Sequence, residues 1–156
     1  MPGVQLWGWN PTGEKWVKLR VDADGSFHFV GYSIITITFI IDGGGAVITT
    51  GEKGHLELPF ACTLNAWTLI SDVPGAIVID IWKDNYANFP PDNNDAMPGA
   101  GKEPTIAATN QKGQDLDISD WASVAIAAGD ILAFNVDSCA SIKRVTLSLK
   151  ATRTFG

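Results

Sequence analysis

The sequence predicts an all-β fold, an antiparallel jelly-roll-like β-sandwich preceded by a short N-terminal β-meander arm. Two observations predict it. Apolar and polar residues alternate with a period of two almost everywhere, and the helical period is nearly absent. Eight or so such runs follow one another at short spacing, divided by glycine and proline turns. An immunoglobulin-like sandwich carries nearly the same pattern. AAGDILAF (127–134), a small-residue turn ending in Gly-Asp ahead of a hydrophobic strand, supports the jelly roll.

Three short strands open the chain: VQLWGW (4–9), WVKLRV (16–21) and SFHFV (26–30). NPTGEK turns the first pair, and DADG, with Gly25 free to adopt the left-handed conformation, turns the second. In WVKLRV the side chains of Trp16, Lys18 and Arg20 point one way and those of Val17, Leu19 and Val21 the other. The apolar face needs a cover, since a small ribbon is not stable alone in water. Gly31 makes a short hinge. It divides an attachment arm, residues 1–31, from a sandwich domain, residues 32–152.

The sandwich begins with the long strand IITITFIID (34–42). The loop GGGAVITTGEKG then carries a short strand of its own, and HLELPF (55–60) follows. There Pro59 removes a ladder donor and marks a sheet edge or a strand end. AWTLISD (66–72) and GAIVIDIWKD (75–84) come next, the latter opposing Ile77, Ile79 and Ile81 to Val78, Asp80 and Trp82. Residues 84–114, rich in Asn, Asp, Pro and Gly, read as a long loop of the kind that often carries function. QDLDISDW, GDILAFNVDS (129–138) and IKRVTLSLKAT (142–152) complete the chain. The expected core is Ile35, Ile37, Phe39, Leu56, Leu58, Phe60, Leu69, Ile77, Ile79, Ile81, Leu132, Phe134, Val136, Val145, Leu147 and Leu149.

The composition narrows the partners. The 156 residues suffice for one domain with an appendage, and a 46% hydrophobic, 18% charged chain is globular. A net charge of −6, with 11 scattered Lys and Arg, argues against nucleic acid, which needs a basic stripe to displace counterions. IITITFII (34–41) is too short to span a bilayer as a helix and too β-branched to be one, so no membrane insertion is expected. MPGVQLWGW has neither a basic start nor an apolar h-region, which implies synthesis in a cytoplasm without secretory export. Cys62 and Cys139 fit that compartment as free, buried thiols, with a disulfide between them as the alternative.

The search for chemistry finds no catalytic set. His28, between Phe27 and Phe29, and His55, after a GEKG turn, sit on strands far apart in sequence and beside no nucleophile. The cysteines lack the clustering of a zinc site. DADG (22–25) starts like an EF-hand loop but lacks the later ligands, and DNND (92–95) reads as a solvated loop with calcium as its alternative. The carboxylates are too many and too dispersed to single out a glycosidase pair. The expectation is a protein that is not an enzyme and needs no cofactor. Trp82, Tyr86, Asn88 and Phe89, where a strand runs into the long loop (WKDNYANFPP), form the candidate contact for a glycan or a protein partner. Aromatic rings beside amides suit a sugar face, and they equally suit anchoring of the loop or a subunit contact.

Taken in order, ITFIIDGGGAVITTGEKGHLELPFACTL, GAIVIDIWKDNYANFPP, AAGDILAFNVDS and RVTLSLK resemble a module of tailed-bacteriophage virion structural proteins, over about residues 34–150. LWGWNPTGEKWVKLRVDADGSF is similar to a short Trp-bearing hairpin of such proteins. The resemblance offers no catalytic residues. It implies a multicopy virion protein, usually a homotrimer, displayed as a capsid decoration, head fibre or tail-fibre component and made in the host cytoplasm. Its partners would be its own copies and other capsid or tail proteins. A carbohydrate-binding adhesin that recognises a host-surface glycan is the alternative. On this reading Trp7, Trp9, Trp16, Leu19, Val21, Phe27 and Phe29 are the attachment and assembly residues of the arm. Burying three Trp side chains would contribute several kcal/mol at about 25 cal/mol per Å2 of apolar surface.

Overall fold

The structure, a computed structural model, describes the backbone of residues 7–10, 12, 15–18 and 31–155, with side-chain surroundings for Trp7, Gly8, Asn10, Thr12 and residues 32–153. The chain divides into two compact units, one of residues 33–153 and the other of residues 1–32 with 154–156.

In the smaller unit, β1 (Trp7–Asn10) and β2 (Lys15–Lys18) form an antiparallel hairpin. Its turn is pinned by the Thr12 N–H, which donates to Asn10 Oδ1 at 3.0 Å, a local bond that Asn makes readily. The register sets Trp9 opposite Trp16 and Trp7 opposite Lys18. The expected third strand, with Phe27 and Phe29, and the positions Leu19 and Val21 lie outside the described residues.

The larger unit is a two-layer sandwich. Its strands are β3 (Gly31–Asp42), β4 (Gly51–Leu58), β5 (Cys62–Ser71), β6 (Ala76–Asn85), β7 (Thr105–Ile106), β8 (Lys112–Asp115), β9 (Ala125–Ile126), β10 (Asp130–Ala140) and β11 (Arg144–Phe155). One sheet runs β4-β10-β6-β7 and the other β3-β11-β5-β8, with β9 adding to β5. The order explains itself if the chain is drawn as one long antiparallel ribbon. Its first half, β3 to β6, pairs with its second half as β3 with β11, β4 with β10, β5 with β8 and β6 with β7. Rolling that ribbon brings β10 beside β6 and β11 beside β5, which is the jelly roll.

Alternation places the core. Ile77, Ile79 and Ile81 of β6 and Leu132, Phe134 and Val136 of β10 are fully buried, and they face Leu69, Val145, Leu147 and Leu149 of the opposite sheet. Ile37 and Leu58 are also buried. Ile35, Phe39, Leu56 and Phe60, expected in the core, are partly exposed at its margin. Phe60 belongs to the β4–β5 turn, where the Arg153 guanidinium lies 4.7 Å over its ring. Leu64, Trp67, Met97, Ile106, Ile118, Trp121, Ile126 and Ile142 also belong to the core, with Ile41, Ile48, Cys62 and Ala151, and several of them are lone apolar residues in segments that read as loop.

Two expectations need correction. The strand expected at 55–60 is β4, Gly51–Leu58; it takes in the GEKG sequence and stops before Pro59, on the outer edge of its sheet. Residues 84–114 are not one loop. They hold two short 3-10 turns (Tyr86–Asn88 and Asn93–Asp95) and two of the eight strands of the roll. Cys62 and Cys139 are both free, Cys62 buried and Cys139 partly so. Burial raises the pKa of each thiol above its ordinary value. Among the described residues no helix is long and apolar enough to cross a membrane.

Candidate functional site

The predicted contact residues gather on the outer face of the β4-β10-β6-β7 sheet. Odd residues of β6 fill the core, so Val78, Asp80, Trp82 and Asp84 face outward. The register sets His55 and Trp82 on either side of Ala133. Ala133 between them is fully buried, and the segment after β6 returns alongside β6 and against His55. Trp82 bridges Ala96, and the Met97 N–H donates to the Ile81 carbonyl at 2.8 Å. The Phe89 ring sits 4.8 Å from that of His55, tilted by 60°.

Carboxylates shape that segment. Asp80 is 4% exposed; its Oδ1 accepts from the Ile81 N–H and its Oδ2 from Trp82 Nε1, each at 2.7 Å. The indole is therefore held edge-on by a buried acid and is not free to open toward solvent. Asp84 Oδ1 accepts from the Asn85 N–H, from Asn85 Nδ2 and from Asn88 Nδ2, while Asn85 Oδ1 accepts from the Ala87 N–H. These bonds lock the first 3-10 turn, and the Phe89–Pro90 peptide is cis. In the second turn Asp92 and Asp95 form a reciprocal capping box. One oxygen of each DNND carboxylate is thus engaged within the turn, Asp95 Oδ2 by the Asp92 N–H and Asp92 Oδ1 by the Asn94 N–H and Nδ2.

Of the four predicted contact residues, Trp82 and Phe89 anchor the segment, and Asn88 gives its amide N–H to Asp84. Tyr86 is the one left outside, 83% exposed at the tip of the locked turn. Phe89 also shows half of its surface to solvent. In the arm, Trp7 is 51% exposed, and Trp9 and Trp16 are placed by register alone. His55 Nε2 lies 3.4 Å from Glu52 Oε1 without hydrogen-bonding geometry. His28 lies outside the described residues. Among the described residues no group of three or more His, Cys, Asp or Glu side chains is placed to hold a metal ion. Asp137 has its pKa raised by burial and by the nearby Asp80 and Glu103 carboxylates, against the lowering effect of a 2.7 Å hydrogen bond from Asn135 Nδ2.

The sequence did not point to a second surface. Along β5 and β8, Ile70, Ser71, Thr109, Asn110, Gln111 and Lys112 line an open groove of about 600 Å3. A smaller hollow of about 280 Å3 continues from it past Thr68, Gly113 and Gln114. Gln111 Nε2 ties the floor by donating to the carbonyls of Ser71 and Asp72. Only the turn-forming TNQKG run marks this place in the sequence, and it reads as a surface loop. The chain matches no family model, no curated protein and no solved structure.

Proposed function

We propose that this chain is a non-enzymatic structural protein of a tailed-bacteriophage virion, made in the host cytoplasm and displayed on the particle as a capsid decoration, head fibre or tail-fibre component. Its arm, residues 1–31, attaches it, and the rolled sandwich is the displayed part. One observation carries this reading. The Trp-bearing hairpin belongs to a compact unit distinct from the sandwich, and Trp7 in it stands half exposed. A two-stranded ribbon gains stability by docking, and an indole is an effective anchor for such docking. The jelly roll, an architecture used by capsid and lectin domains, and the resemblance in sequence support the same reading.

The test is co-sedimentation with virus particles from a producing host, for the full chain and for residues 32–156. The full chain pellets with the particles, and the shortened chain stays folded by circular dichroism but remains in the supernatant. Equal behaviour of the two, or a full chain that never pellets, overturns the proposal.

Tyr86 favours a second reading, a glycan-binding adhesin module, because an exposed ring on a rigid turn can stack against a sugar. Loss of glycan-array binding in Tyr86→Ala would select that reading. An array on which the native chain retains nothing would remove it.

A further inference from the structure

Among the described residues four strands end the two sheet paths, with the two-residue β9 flanking β5 beside β8, and three of the four are guarded against pairing with another chain. β4 carries Glu52, Lys53 and Glu57 and stops at Pro59; β7 has two residues and β8 four. Charge, proline and short length are the ordinary protections of a sheet edge. The fourth, β3, has none of them. It runs for twelve residues, GYSIITITFIID, with no proline and no charge before Asp42. Among the described residues β11 is its one sheet neighbour. Its outward side chains are bare: Ile34 is 68% and Ile40 59% exposed, and Thr36 and Thr38 lie between them. Its inward Ile35 and Phe39 close the margin of the core only in part.

The strand is also its own complement. Laid antiparallel on a second β3 about Ile37, it sets Thr36 opposite Thr38 and Ile34 opposite Ile40 on the outer face. On the inner face it sets Ile35 opposite Phe39 and Ile37 opposite Ile37. Thr with Thr, Ile with Ile and aromatic with β-branched are the pairs that stabilise antiparallel strands. A two-fold contact in this register joins two sheets into one through on the order of eight backbone hydrogen bonds. It also continues each core into the next at Ile35 and Phe39. The chain carries a net charge of −6, and the uncharged length of β3 lets two such molecules meet without opposing acids.

We propose that β3 is a homodimerisation strand that pairs with β3 of a second copy about a two-fold axis at Ile37. The inference rests on the fold and goes beyond the proposed role in a virion. An isologous contact of this kind closes at two copies, so the trimer that the sequence resemblance implies would need a second and different surface.

The test uses sedimentation equilibrium of the full chain and two double variants at exposed positions. The native chain sediments as a dimer at micromolar concentration. Thr36→Lys with Thr38→Lys sets like charges opposite each other twice, which raises the dissociation constant about tenfold or more while leaving the melting of the dilute protein unchanged. Thr36→Lys with Thr38→Glu sets lysine opposite glutamate twice in the same register and restores the dimer. A native monomer, a native trimer, or equal association of the two variants overturns the proposal. A monomer whose β3 amides resist hydrogen exchange at every concentration overturns it by assigning the edge to the chain's own residues.

Discussion

The Phe39 ring of β3 stacks on the Phe134 ring of β10, centroid to centroid at 4.0 Å and 15° from parallel. The two belong to opposite sheets, and Gly54, opposite Phe134 in the ladder, leaves room for them. A methyl group at Gly54 would come within 3.3 Å of the Phe39 ring.

The stack predicts unequal costs for its two halves. Phe134 is fully buried and Phe39 only partly so. Phe134→Ala should lower the free energy of unfolding by about 3–5 kcal/mol, and Phe39→Ala by less. Urea denaturation followed by tryptophan fluorescence reads both. Equal losses would mean that Phe39 is covered by something outside the sandwich.

Gly113 should tolerate no side chain. It faces the core in β8, opposite Leu69, and a Cβ there would stand 2.1 Å from the Thr105 carbonyl oxygen of the neighbouring strand. That contact is with backbone, so β7 and β8 must separate to relieve it. Gly113→Ala should cost about 1–3 kcal/mol, the range for overpacking, and should lower the thermal midpoint. Gly101→Ala, where nothing lies within 4 Å, controls for glycine loss but carries its own positive-φ strain.

Acid should weaken the fold through two turns. Asp72 Oδ1 accepts from the N–H groups of Arg144 and Lys143, each at 3.1 Å, and these bonds hold its pKa below the ordinary 3.8. Asp42 is held below that value first by the Gly44 N–H and then by the Arg144 side chain, whose Nε lies 2.7 Å from Oδ2. A carboxylate whose folded pKa is depressed contributes stability above its unfolded pKa and loses it as pH falls through the folded value. Stability should therefore decline from about pH 4 downward. Asp72→Asn and Asp42→Asn should each flatten that decline in melting curves taken between pH 2 and pH 6.

Trp82 and Tyr86 should part company under mutation. Trp82→Ala removes the indole donor from the buried Asp80 carboxylate and uncovers Ala133, so it should destabilise by about 2–4 kcal/mol. Tyr86→Ala should leave the melting midpoint within a degree or so, since an exposed side chain away from packing rarely matters. Calorimetry on the two variants separates loop anchoring from surface contact. A glycan screen based on Trp82→Ala would confuse them.

The strands that show in the sequence are those with one apolar face. In β6, β10 and β11, alternate Ile, Leu, Val and Phe point to the core, and the pattern survives the β-bulges of β10. β7 and β8 do not show, because β8 turns Gly113 and Asp115 inward and β7 is only two residues long. The aromatic run after β6 was legible as a place where rings gather. Their orientation was not, because it follows from Asp80 and Asp84, whose bonds to Trp82 and Asn88 depend on how the chain returns over the sheet. The missing guard on β3 is visible in the sequence only once the sheet order identifies β3 as a border.

Strands β3 and β11 lie side by side, so the sandwich unit begins and ends at one pole. Val145 opposite Ser71 and Thr152 opposite Thr63 set the direction. The Tyr86 turn shares that pole, as Asn85 and Leu58 both face Asp130 in the ladders. The glycine bend after Asp42 stands at the other, joined to the β10–β11 turn by the Gly43 N–H on the Lys143 carbonyl. A cargo peptide spliced between Gly44 and Gly45 would ride at the pole remote from the start of β3 and the end of β11, and a sandwich permuted there would need only a short tether between those two strand ends.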